Sequence, residues 1–261
     1  MQNYRKKLLC GSIIIIFVTG SLLLASKWIG KTKKTEETKQ QTEKVSQLHL
    51  EEENDEVEEQ DKNILESEVL NAVQLDVPEV YQEPELPNGC ESVSLTMALM
   101  YEGFNLEKTT IADEYLIYSD DDDLGKGYVG DPKTYEGTGC FPPILEDTAN
   151  EFLKEKKSDK KAEDISGLEF EELFHYLSQE IPVIVWGTMY MEEPWFTEYT
   201  YERDGITYTW YNNEHCVVLS GYNQETGTVT VNDPLEGIVE RNMDEFKGIY
   251  DEIGRYAVVV H

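Results

Sequence analysis

Basic side chains are in short supply. Lys and Arg together number 22 against 53 Asp and Glu in a chain of 261 residues, a formal net charge of −31. So acidic a surface repels phosphate backbones and anionic bilayers, which sets aside nucleic acid as a partner. Histidine is scarcer still, with four residues, so any chemistry that needs an imidazole has few places to find one. Cysteine also numbers four. Cys10 stands in an apolar N-terminal stretch, and the odd number that remains (Cys90, Cys140, Cys216) excludes a full disulfide framework. A Cys140–Cys216 bridge stays open as one pairing, leaving Cys90 free. No pair has the CxxC spacing of a zinc or redox site, and the acidic run Asp120–Asp123 lacks the spacing and the Glu of an EF-hand. There is no GxxxxGK[ST] phosphate loop and no internal repeat. Neither a metal nor a cofactor is expected.

One long apolar run is present. It extends over Leu8–Ser26 behind Arg5, Lys6 and Lys7 and is as long as one membrane-spanning helix requires. Residues 1–30 read as a signal anchor or transmembrane helix. A cleaved signal is the alternative, although Leu24-Ala25-Ser26 is a poor cleavage site. Basic residues flank both ends of the run, so charge does not orient it. Residues 31–72 combine few apolar side chains with dense acidic charge, the composition of a disordered stalk.

From residue 73 to 261 the pattern is that of a folded domain. A helix begins at Cys90 after the turn Pro87-Asn88-Gly89, and a second is expected over 107–118. A Gly- and Pro-rich loop leads to helices over 144–154 and 170–178. Strands follow: Pro182–Trp186, His215–Tyr222, Thr228–Asn232 and Tyr256–Val260, with the middle two joined as a hairpin. Helices first and strands second argue for an α+β domain.

Cys90 carries the chemistry of most interest. It follows a tight turn and opens a helix, where the helix dipole and free backbone N–H groups favour the thiolate that attacks carbonyls. The plain alternative is a small buried thiol. Of the four histidines, His49 lies in the acidic segment, His261 ends the sequence and His175 falls on a helix edge. His215, at the start of a strand behind a polar loop, is the best-placed base. Asp233 ends the partner strand of the same hairpin and could orient the ring, whereas Asn232 points to the other face by strand alternation. Gln82, eight residues before Cys90, could offer its amide to an oxyanion beside the Cys90 backbone N–H. Between Met189 and Tyr211 aromatic residues crowd around Asp204-Gly205. This is a hairpin pattern that could also rim a substrate cleft. Trp186, Trp195, Trp210 and Tyr211 are the aromatic candidates for substrate binding.

Several pieces, in order, resemble the peptidase C39-like family. They begin with Asp76-Val77-Pro78, Gln82 and Leu86-Pro87-Asn88-Gly89-Cys90-Glu91-Ser92. Tyr128-Val129-Gly130-Asp131-Pro132 and Gly137-Thr138-Gly139-Cys140 follow. Pro182–Trp186, His215 with Leu219–Tyr222, and Asp233–Gly237 complete the set. The resemblance covers about 75–260. It implies a papain-like cysteine peptidase fold, in which a nucleophile helix packs on an antiparallel sheet. Cys90 would be the nucleophile, His215 the base, Asp233 the orienter and Gln82 part of the oxyanion hole. It also implies a peptide or protein substrate and the surface of a Gram-positive bacterium. A thiol acyltransferase or transpeptidase, or a non-catalytic peptide-binding module, would use the same fold.

Overall fold

The structure, a computed structural model, describes residues 63–261. The anchor expected over 1–30 and most of the expected stalk lie outside the described residues. Among the described residues no helix is long and apolar enough to cross a membrane. Ordered packing begins earlier than the expected boundary at 73. Ile64 is buried in the core, Leu65 and Val69 pack against it, and Leu70 O accepts the Tyr222 hydroxyl at 2.6 Å. Composition hid this because three apolar side chains are spread among acidic ones.

The elements run β1 (Ala72–Gln74), α1 (Cys90–Tyr101), α2 (Pro142–Lys156), β2 (Ala162–Asp164), α3 (Leu173–Ser178) and β3 (Val183–Thr188). Then come β4 (Phe196–Arg203), β5 (Ile206–Tyr211), β6 (Glu214–Asn223), β7 (Thr228–Asp233), β8 (Gly237–Asn242), α4 (Met243–Ile253) and β9 (Ala257–Val260). One antiparallel sheet has the order β2-β9-β3-β6-β7-β8, with β1 also pairing to β6. The central strands β3 and β6 are the continuous apolar runs seen in the sequence. Both are closed to water on two faces, as such runs require. Helix α1 is buried along nearly its whole length and packs on β6, where Ser94 Oγ donates to Cys216 O at 2.9 Å. Helices in the first half and the sheet mainly in the second give the α+β arrangement, with the Cys90 helix laid on an antiparallel sheet.

The hairpin β4–β5 turns at Asp204 and Gly205, both at positive φ, and stands apart as a two-stranded sheet. It is moored through Arg203, whose guanidinium grips Asp147 of α2 at 2.7 and 3.0 Å. The helix expected over 107–118 is instead a five-residue π turn, Ile111–Tyr115. Here the chain spends its apolar side chains on tertiary contacts: Ile111 and Ala112 are buried in the core. Strands β2 and β8 and helix α4 were not legible in advance. β8 is an edge strand whose exposure alternates while its residues, Ile238-Val239 followed by Glu240-Arg241-Asn242, do not, and α4 is a short amphipathic helix capped by the Asn242 side chain on Glu245 N at 3.0 Å.

Candidate active site

Cys90 is the first residue of α1. The turn before it is fixed from several sides. The Gln82 Nε2 amide donates to Pro87 O at 2.7 Å, and Gln82 N donates to Pro234 O at 2.9 Å. Asn88 Nδ2 donates to Thr134 O and Gly137 O, each at 3.0 Å, and the Tyr128 hydroxyl donates to Asn88 O. Gly89 lets the chain pass Leu86, because a Cβ there would lie 2.8 Å from Leu86 Cβ. The Gly-rich loop therefore braces the turn that carries the thiol.

His215 and Asp233 meet on one face of the sheet. His215 Nε2 donates to Asp233 Oδ1 at 2.7 Å, and both side chains are nearly closed to solvent. Asp233 Oδ1 also accepts the backbone N–H of Leu235 at 2.8 Å. Burial would raise the Asp233 carboxyl. The bond and charge of His215 outweigh it and hold the carboxyl below its ordinary range. Asn232 faces the other way, as strand alternation requires. It accepts Ser220 Oγ at 2.7 Å and donates to Val77 O at 2.8 Å.

A cavity of about 420 Å³ is bordered by Cys90, His215 and Gln82, together with Glu214 and Trp210. The Cys90 sulfur does not bond to His215. It lies 3.3 Å from Glu91 Oε2 and 3.8 Å from Glu214 Oε2. The helix start was expected to favour a thiolate, and the surroundings oppose this. Burial first, then the Glu214 and Glu91 carboxylates, push the thiol well above its ordinary value. Glu214 is raised well above the carboxylate range by its own burial and by Glu91, and Glu91 is raised by burial. Glu91 has a second task, since its Oε1 accepts Cys140 N at 2.8 Å and ties the loop to α1. Neither carboxylate was singled out from the sequence, where each is one acidic residue among 53.

The other candidates separate. Of the four aromatic residues only Trp210 borders the cavity, where Tyr135, Tyr190 and Met189 join it. Trp186 is buried within β3, Tyr211 is buried with its hydroxyl on Gly187 O at 2.9 Å, and Trp195 is exposed away from the cavity. Cys140 and Cys216 are both free thiols, fully buried. His175 Nδ1 bonds to Ser67 O at 3.0 Å, and His261 pairs with Glu163 at 3.0 Å. Asp121 and Asp123 of the acidic loop pair with Lys126.

An α+β domain with a thiol at a helix start and a carboxylate-held imidazole bordering the same cavity belongs to the class of cysteine-peptidase-like proteins. A family model described as "Peptidase_C39 like family" matches residues 74–258, and the chain belongs to that family. It is 30% identical over 195 residues to the uncharacterized protein YvpB of Bacillus subtilis strain 168, covering 72% of each chain. A solved structure from Bacillus anthracis, described as a C39-like peptidase, is 30% identical. It superposes with a TM-score of 0.61 over 73% of this chain and 97% of that one.

Proposed function

We propose that this protein is a cysteine peptidase acting on a peptide or protein substrate through Cys90, His215 and Asp233. The observation that carries the reading is the shared cavity: Cys90 and His215 both border it, and His215 Nε2 is already committed to Asp233. That commitment leaves Nδ1 to take the thiol proton. The sulfur then adds to the substrate carbonyl, and the oxyanion is met by the Cys90 backbone N–H and the second Gln82 amide hydrogen, the first being held by Pro87 O. The imidazolium returns its proton to the leaving amine, and water releases the acyl group from sulfur.

The same reading places the domain outside a membrane, anchored by the apolar run of residues 8–26 and spaced from it by the acidic segment. Protease treatment of intact cells tests this: an extracytoplasmic domain is shaved away, whereas protection reverses the orientation.

The enzymatic test is labelling of the intact chain with an E-64-type epoxide, followed by peptide mapping. Cys90 labels before Cys140 and Cys216, and His215→Ala slows the labelling. Equal labelling of all three thiols would defeat the proposal. Product analysis with an added amine then distinguishes hydrolysis from acyl transfer.

A further inference from the structure

Two carboxylates crowd the nucleophile, and the reaction sequence above uses neither. Glu91 and Glu214 are buried, and no Lys or Arg pairs with either among the described residues. Cys90 Sγ, one oxygen of Glu91 and one oxygen of Glu214 all lie within 4.8 Å of one another. The sulfur–oxygen separations are 3.3 and 3.8 Å. A zinc ion at about 2.3 Å from sulfur and about 2.1 Å from carboxylate oxygen, at a tetrahedral angle, requires sulfur–oxygen edges of about 3.6 Å. The two observed edges straddle that value.

A second observation points the same way. Glu214 is only 8% exposed, and its Oε1 has no hydrogen-bond partner. A buried polar atom left unpaired is costly unless something completes its shell. Cys90 and Glu214 also border the cavity, which gives an ion a way in and leaves a fourth position for water.

We propose that Cys90, Glu91 and Glu214 bind one divalent cation of the zinc class, and that its presence takes Cys90 out of catalysis. Thiolate with two carboxylates suits zinc better than the all-oxygen preference of magnesium and calcium. On binding, the sulfur–hydrogen bond breaks and the sulfur–metal bond forms, and the thiol proton leaves to solvent together with the protons that the two carboxyl groups hold. Glu91 ligates through one oxygen, while the backbone N–H of Cys140 holds the other in place. A substrate ammonium could also supply positive charge. Glu91 is wholly buried, however, so only a bare ion reaches both oxygens and the sulfur together.

The intact, metal-stripped chain is titrated with zinc chloride by calorimetry, and with cobalt(II) to read the thiolate-to-metal charge-transfer absorption. One ion binds per chain, and the absorption vanishes in Cys90→Ser. Glu214→Gln weakens zinc by at least about tenfold, the scale of a lost ligand or ligand partner, and His215→Ala leaves the affinity within about threefold. No binding up to about 1 mM zinc (a Kd worth about −4 kcal/mol) overturns the proposal. So does an absorption that survives in Cys90→Ser, an unchanged affinity in Glu214→Gln, or a matching loss in His215→Ala, which would assign a Cys–His pair instead. If Glu214→Gln fails to fold, Cys90→Ser and His215→Ala carry the test. The blocking of catalysis rests on the peptidase reading, and the binding does not. Zinc bound as described by a chain that cleaves no peptide leaves the site standing and removes the peptidase.

Discussion

His215 donates from Nε2 to Asp233 Oδ1 across 2.7 Å, in a spot nearly closed to water. The pair commits Nε2 and leaves Nδ1 as the ring nitrogen open to another partner. Asp233→Ala frees the ring and also strands the backbone N–H of Leu235. We expect kcat/KM to fall by about 10³-fold, on the scale of losing a group that orients a general base. Asp233→Asn keeps an oxygen for the three donors, His215 Nε2 and the backbone N–H groups of Leu235 and Glu236, and loses less. Steady-state kinetics on any peptide the wild type cleaves checks the order.

The same pair has an acid limit. The Asp233 carboxyl is held below its ordinary value, so its contribution to stability is present above the usual carboxylate range. It is lost as pH falls through the folded value. Urea midpoints measured from pH 6 down to pH 2 should drop for the wild type. Part of that drop should disappear in Asp233→Asn.

Glu214 gives the opposite slope. Its folded value is raised, so above the usual carboxylate range the unfolded chain has released a proton that the native one keeps. Stability from this residue is full at low pH and declines as pH rises. Glu214→Gln should therefore be the more stable protein at pH 7, by about 2 kcal/mol, the scale of burying an uncompensated polar group. That corresponds to ~4–8 °C in Tm for a domain of this size. Scanning calorimetry at pH 5 and pH 8 should show the gap widening with pH, and a constant gap would contradict the assignment.

Thiol reactivity follows the same field. As Glu214 ionises it raises Cys90 further, so iodoacetamide alkylation of Cys90 in metal-free Glu214→Gln should outpace wild type, increasingly so above neutrality. A difference of about tenfold corresponds to one pKa unit. Timed alkylation read by mass spectrometry measures it.

Gly139 sits where no side chain fits. Its φ is +138°, and an added Cβ would lie 2.6 Å from Trp210 Cη2 and 2.7 Å from Glu91 Oε1. Gly139→Ala should cost about 2–4 kcal/mol through backbone strain and overpacking. It should also lower activity, because Trp210 borders the cavity and Glu91 braces the nucleophile turn. Urea unfolding followed by tryptophan fluorescence tests the first effect.

Much of this was open to reading in the sequence. Val183–Trp186 and the strand through His215 are apolar runs too continuous for anything but buried strands, and the short turn after Asn223 marks the β6–β7 hairpin, although a bulge between Leu219 and Gly221 shifts its register before the His215 end. The Asn-Gly turn located the start of α1, and the alternation of β7 separated Asp233 from Asn232. These are local signals, carried by residues within a few positions of one another. The expected helix over 107–118 failed for the converse reason. Its apolar side chains are claimed by distant partners, and only a single π turn is left.

What the sequence determined alone, then, is the α+β order of elements and the identity of the sparse chemical groups, since a chain with four histidines offers few bases. Tertiary structure decided which groups meet. Cys90 and Glu214 are 124 positions apart, and only the packing of α1 on β6 brings their side chains within 3.8 Å. Burial then changes what that meeting means. In water, two carboxylates beside a thiol would be an ordinary acidic patch. Enclosed without a Lys or Arg partner, they hold back the thiolate, because charge removed from water must be neutralised by a proton or by a cation.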